Sequence, residues 1–175
     1  MQEMNGESKL AAIRLLLLDV DGVLTDGAII YDDHGVETKA FNVKDGLGIR
    51  LLMDAGVAVG IVTGRKAGAL VHRCENLGIT LLLDGIRDKG AALSDICAKT
   101  GVAPEEIAFM GDDLPDLPIM RRVGLSVSVA DGSPEVREAA DLVTAAGGGR
   151  GAVRELAERL LRARGQWQQA LERFA

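Results

Sequence analysis

The chain has 175 residues, of which 47% are hydrophobic and 3% aromatic, and its formal net charge is -6. That length builds one domain, residues 1–175, around an aliphatic core, and the apolar content excludes a disordered chain. The acidic balance excludes general nucleic-acid binding, which needs a basic surface, but leaves room for a small anionic substrate in a locally cationic cleft.

Residues 1–9 are polar and mixed in charge, lack the apolar stretch of a secretory signal, and are expected to be disordered. No apolar run approaches transmembrane length, so a cytoplasmic location is expected. The apolar run Ile13–Val20 predicts the first strand. Ala28–Asn42 reads as two β-leaning arms around Gly35, a β-hairpin flap. Helix Asp45–Ala55 follows, closed by Gly56, then strand Val57–Val62. Helix Lys66–Leu77 ends at Gly78, strand Ile79–Leu83 follows, and helix Asp88–Thr100 ends at Gly101. Strand Ile107–Met110 leads to helix Asp116–Val123 with Gly124 as its cap, then to strand Leu125–Val129. Ser133 and Pro134 open a helix through Ala140, and Leu142–Thr144 is the last strand. Gly147-Gly148-Gly149 reads as a flexible loop before helix Gly151–Arg164. Gln166–Ala175 reads as a helical continuation, with Trp167 packed on the surface or a neighbour. Cys74 and Cys97 lie among apolar residues and read as small buried hydrophobes.

Most of the strand runs are continuous rather than alternating, which suits strands covered on both faces. Strands and helices alternate through short connections. The fold class is therefore α/β, a doubly wound Rossmann-like parallel sheet, with its ligand crevice at the carboxyl ends of the strands.

The chemistry gathers at those ends. The first strand closes on Asp19-Val20-Asp21-Gly22. Residues two apart share a face of a strand, so Asp19 and Asp21 are expected to point into the crevice together. A charge closing a buried leucine run needs a partner, which separates Asp19 from Asp26, read as a turn former. A second acidic group, Asp112, Asp113 and Asp116, follows a later strand. These carboxylates make an oxygen-rich pocket without soft ligands, which selects a hard cation, with Mg²⁺ the usual choice beside a phosphate. Asp116 is equally open to reading as a helix N-cap. Thr63-Gly64-Arg65 supplies a hydroxyl and amides at an expected helix N-terminus, an anion site. Arg65 is either a bidentate clamp on a carboxylate or phosphate or a surface arginine. Lys89 sits in a first helical turn, where a cation is unfavourable unless nearby carboxylates offset the cost.

The strings DVDGVLTDG, TGR, DK and GDDLPDLPIM, in this order and at predicted strand ends, resemble the four motifs of the haloacid dehalogenase superfamily. The resemblance runs from Ile13 to Gly165. YDDHGVETKAFNVKDGLGIRLL, VGLSVSVADG and GGGRGAVRE are similar to capless members that dephosphorylate an eight-carbon keto-deoxy sugar acid on the route to lipopolysaccharide. The resemblance implies that Asp19 is the nucleophile that becomes aspartyl phosphate and that Asp21 is the acid and base. Thr63 and Lys89 would bind the phosphoryl group, while Arg65, Gly64 and Thr25 form the substrate-binding set, with Arg65 on the sugar carboxylate. Mg²⁺ would be held by Asp19, the Asp21 carbonyl and Asp112, with Asp113 and Asp116 ordering metal waters and Lys89. The short intervals from Asp19 to Thr63 and from Thr63 to Lys89 leave no room for a cap domain. Capless relatives cover their sites by forming a tetramer, so the hairpins are expected at a homotetramer centre. Competing readings are the same chemistry on a nine-carbon sugar acid phosphate and a non-catalytic assembly module of the kind fused to cytidylyltransferases. A receiver domain is disfavoured because receivers lack the second aspartate two residues on.

Overall fold

The computed structural model describes residues 6–175. Helix α1 (Gly6–Ala12) precedes β1 (Leu15–Leu18), the hairpin strands β2 (Ile30–Tyr31) and β3 (Glu37–Thr38), α2 (Val43–Asp54), β4 (Ala58–Val62) and α3 (Gly68–Leu77). Then come β5 (Leu81–Leu83), α4 (Lys89–Thr100), β6 (Ile107–Gly111), α5 (Leu117–Met120) and β7 (Leu125–Ser128). The chain finishes with α6 (Pro134–Ala139), β8 (Leu142–Val143), α7 (Ala152–Ala163) and α8 (Trp167–Glu172).

Six strands form one sheet in the order β5-β4-β1-β6-β7-β8, and every pairing within it is parallel. The chain winds outward from β1 through β4 to β5, then returns to β6 and winds the other way. The winding therefore reverses between β1 and β6, which places the crevice beyond their carboxyl ends. Leu15–Leu18 is wholly buried, and its side chains alternate between two cores. Leu16 and Leu18 join residues of α2, α3 and α7, while Leu15 and Leu17 join residues of α4, α5 and α6. Covering on both faces explains the unbroken leucine run.

Most helix ends follow their expected chemistry. Gly78 and Gly101 close α3 and α4 at φ 81° and 67°, a left-handed turn that glycine adopts without steric cost. The expected helix 116–123 is different. A 3-10 turn, Leu114–Asp116, leads into the four-residue α5, and Pro115 and Pro118 sit in the first turns of these two pieces, where a missing amide is tolerated. Gly124 is not its cap; a Cβ there would lie 2.0 Å from the Glu105 carbonyl oxygen, so close approach of two backbones requires the glycine.

Three further expectations are corrected. Residues 6–9 are helical rather than disordered, because Leu10 packs on the core and Lys9 pairs with Asp141 at 2.8 Å; Met1–Asn5 lie outside the described residues. The Gly147–Gly149 loop is wedged against the turn after β1, where a Cβ on Gly148 would lie 1.9 Å from the Gly22 carbonyl oxygen. The C-terminal segment forms a separate short helix, and Trp167 packs on the chain's own core beneath Arg154 and Arg162.

Candidate active site

An open cleft of about 520 Å³ lies at the carboxyl end of the sheet, lined by Asp19, Asp21, Thr63, Gly64, Arg65, Lys89, Asp112, Asp113 and Asp116. A roomier groove between α1, β8 and α7 has mixed walls that include Leu10, Leu142, Glu7 and Arg159, and its Lys9 and Asp141 pair with each other.

Asp19 continues β1, its amide donating to the Met110 carbonyl at 3.0 Å. Asp112 follows β6, the neighbouring strand. The two stretches abut so closely that a Cβ on Gly22 would sit 2.0 Å from Asp112 Oδ2. Asp19, Asp112 and Asp116 each offer a carboxylate oxygen within 4.8 Å of the others. Lys89, buried at the first turn of α4, reaches Asp19 Oδ1 at 2.8 Å and Asp116 Oδ1 at 2.5 Å. Burial works against its charge, but the two carboxylates outweigh that and hold its pKa above the usual value. Asp116 is not a side-chain N-cap of α5, where it makes no capping hydrogen bond; it is the N3 member of the turn capped by Asp113. It forms a capping box with Asp113, and its Oδ2 accepts from the amides of Asp112 and Asp113 at 2.9 and 3.3 Å.

This electrostatic pattern fits a bound cation. Among the described residues no hydrogen bond or ion pair reaches the Asp112 side chain, and Lys89 only partly offsets the charge around it. Burial, then repulsion from Asp19, Asp116 and Asp113, pushes its pKa up to about 8. Burial and Asp116 raise Asp19 to about 6 against the pull of Lys89. A hard divalent ion would relieve both through oxygen ligands alone. Because both Asp116 oxygens already accept hydrogen bonds, Asp19 and Asp112 are the carboxylates left to hold it.

The remaining residues divide. Thr63 is buried, its hydroxyl 3.4 Å from the Arg65 amide that donates to it. Helix α3 starts only at Gly68, so Thr63-Gly64-Arg65 is a loop rather than a helix N-terminus. Thr25 is not in the cleft. Its hydroxyl is turned inward, accepting from the amides of Gly22 and Gly27 and donating to the Val20 carbonyl, which locks the turn after β1.

Two residues of the cleft's polar surround escape the motif reading. Lys39, with only 2% of its side chain exposed, contacts Asp21 Oδ1 and lies 2.8 Å from Glu37 Oε1. Arg65 Nη2 meets Glu37 Oε2 at 2.7 Å and the Tyr31 hydroxyl at 3.1 Å. The hydrogen bonds from Lys39 and Arg65 hold the Glu37 carboxyl below its usual range. The available signal is the spacing: Glu37 and Lys39 are two apart on a hairpin arm and so share a face.

A family model of haloacid dehalogenase-like hydrolases matches residues 84–154. With no cap domain among the described residues, the chain belongs to the capless members of this class. The 3-deoxy-D-manno-octulosonate 8-phosphate phosphatase of Escherichia coli K12 is 52% identical over 163 residues, covering 93% of this chain and 87% of that protein. The enzyme of that name from Moraxella catarrhalis, solved with a magnesium ion, a phosphate ion and KDO, superposes with a TM-score of 0.95 at 40% identity, over 99% of this chain and 100% of that one. The cobalt-bound Haemophilus influenzae enzyme gives 0.90 at 41% identity, over 94% and 99%. The chain thus belongs, within its class, to the 3-deoxy-D-manno-octulosonate 8-phosphate phosphatase family.

Proposed function

We propose that the protein is a Mg²⁺-dependent phosphatase. It converts 3-deoxy-D-manno-octulosonate 8-phosphate to the free sugar acid and phosphate through a phosphorylated Asp19, in the cytoplasm, on the route to lipopolysaccharide. The observation that carries the reading is the meeting of Asp19, Asp112 and Lys89, with Lys89 Nζ 2.8 Å from Asp19. The substrate is taken from the relatives.

Phosphate monoester hydrolysis is among the slowest uncatalysed reactions, because an anionic nucleophile must approach an anionic phosphoryl group. Lys89 and the Thr63 hydroxyl bind the phosphoryl oxygens, with the Gly64 amide beside them. Asp19, the Asp21 carbonyl and Asp112 would hold Mg²⁺, which would neutralise charge on those oxygens, and Asp113 and Asp116 would order its waters. An Asp19 oxygen bonds to phosphorus as the bond to the sugar oxygen breaks, and Asp21 donates a proton to that oxygen. Asp21 then takes a proton from water, whose oxygen attacks the same phosphorus and releases Asp19. Arg65 binds the sugar carboxylate.

A capless cleft is open to water, which phosphoryl transfer disfavours. The hairpin exposes Ile29, Ile30, Tyr31 and Val36, an apolar patch suited to self-association. The working form is a homotetramer with these hairpins at its centre. The substrate assignment is tested by kcat/KM for the eight-carbon and nine-carbon sugar acid phosphates. The eight-carbon ester should be preferred by at least about tenfold, a 1.4 kcal/mol difference; a preference for the nine-carbon ester overturns it.

A further inference from the structure

Four charged side chains close a ring beside the acid cluster, alternating in sign: Asp21, Lys39, Glu37 and Arg65. Lys39 joins Asp21 to Glu37, Arg65 Nη2 meets Glu37 Oε2 at 2.7 Å, and Arg65 Nε lies 3.7 Å from Asp21 Oδ2. The ring is neutral as a whole. Two buried atoms of the ring have no hydrogen-bond partner, Arg65 Nε and Glu37 Oε1, the latter held by Lys39 only as an ion pair at 2.8 Å, and an unfilled buried donor such as Arg65 Nε is an arrangement folded proteins avoid. The Nε–Nη edge of a guanidinium fits both oxygens of a carboxylate at once. Glu37 places one oxygen on Nη2 and leaves Nε unfilled.

We propose that Glu37 is a specificity-determining residue: its carboxylate occupies half of the Arg65 fork in the free protein, and an incoming ligand carboxylate takes its place. This rests on the reading of Arg65 as the seat of the sugar acid's carboxylate. Exchange is favoured because Arg65 gains two oxygens for one, and because the displaced Glu37 keeps Lys39, 2.8 Å from its other oxygen. A phosphate ester without a carboxylate offers nothing to the fork and leaves the ring closed. The fork therefore discriminates by charge: acidic ligands open it, and neutral sugars do not. The Arg65 side chain is 39% exposed, so the competing pair is a weak one, worth a factor of about two to five in affinity.

The test is Glu37→Gln, which keeps the side chain's shape and removes its charge. Steady-state KM is measured for 3-deoxy-D-manno-octulosonate 8-phosphate and for 4-nitrophenyl phosphate, which has no carboxylate. The ratio of the first KM to the second should fall about two- to five-fold. The competitive inhibition constant of free 3-deoxy-D-manno-octulosonate should fall by the same factor relative to that of inorganic phosphate. Damage common to both ligands cancels in these ratios, so a purely structural role for Glu37 leaves them unmoved. Unchanged or rising ratios overturn the proposal. Arg65→Ala separates the layers. It should raise the KM ratio; if it does not, the carboxylate seat itself is misassigned and the proposal falls with it. If Arg65→Ala raises the ratio and Glu37→Gln leaves it alone, only the role of Glu37 is refuted.

Discussion

Asp112 is the residue under the greatest electrostatic load. Burial first, then the neighbouring carboxylates, push its carboxyl up to about 8 and that of Asp19 up to about 6 against the pull of Lys89, from a reference of 3.8 for both. The folded chain therefore binds these two protons more tightly than the unfolded chain does. Their stabilising contribution is complete below the unfolded value and is lost as pH rises through about 6 and about 8. Metal-free protein should accordingly melt at a lower temperature near pH 9 than near pH 6, and saturating Mg²⁺ should shrink that gap by binding the ionised form. Thermal melts at the two pH values, with and without Mg²⁺, check this; a metal-free melting temperature that rises toward pH 9 contradicts it. At this scale the acidic pairs were legible in the sequence because strand alternation and motif order both single them out. Lys39 was not, since its partner Asp21 lies 18 residues away and the pairing exists only once the hairpin folds back. Thr25 was misplaced because motif membership does not say which way a side chain turns.

At the scale of elements, the glycine loop between β8 and α7 clasps the turn after β1, the Gly149 amide donating to the Val23 carbonyl at 2.9 Å. Helix α7 begins on Gly151, which has no side chain to cap it, and the cap comes from another helix. Asp45 of α2, fully buried, accepts from the amides of Gly151 and Arg154 at 3.3 and 2.8 Å. Asp45→Ala should cost about 1–2 kcal/mol, the value of a lost N-cap, with Asp45→Asn costing less because one acceptor oxygen remains. Urea denaturation measures both, and an alanine variant as stable as the parent refutes the cross-helix cap. The helices closed by Gly78 and Gly101 were readable because glycine punctuates locally. The capping of α7 was not, because Asp45 and Arg154 are 109 positions apart. The length of α5 was not legible, because Gly124 looks like a cap in sequence but is required by the close approach of the Glu105 backbone.

At the scale of the whole molecule, the parallel sheet was legible from continuous apolar runs alternating with helices, and the missing cap from the short intervals between motifs. Assembly is the level at which hairpin substitutions speak. Ile29→Asp with Val36→Asp places charge in an exposed apolar patch and should shift sedimentation from tetramer to smaller species, with activity falling in step. A wild-type monomer at micromolar concentration with full activity refutes the tetrameric site. The central claim is narrower: Asp19, beside Asp112 and Lys89, is the nucleophile of a metal-dependent phosphatase. It is tested most directly by phosphate release from 3-deoxy-D-manno-octulosonate 8-phosphate, comparing wild type with Asp19→Asn in Mg²⁺ and in EDTA. The account predicts turnover by wild type in Mg²⁺ only, and none by a folded Asp19→Asn protein. Substantial release by Asp19→Asn, or by wild type stripped of divalent metal, would contradict it.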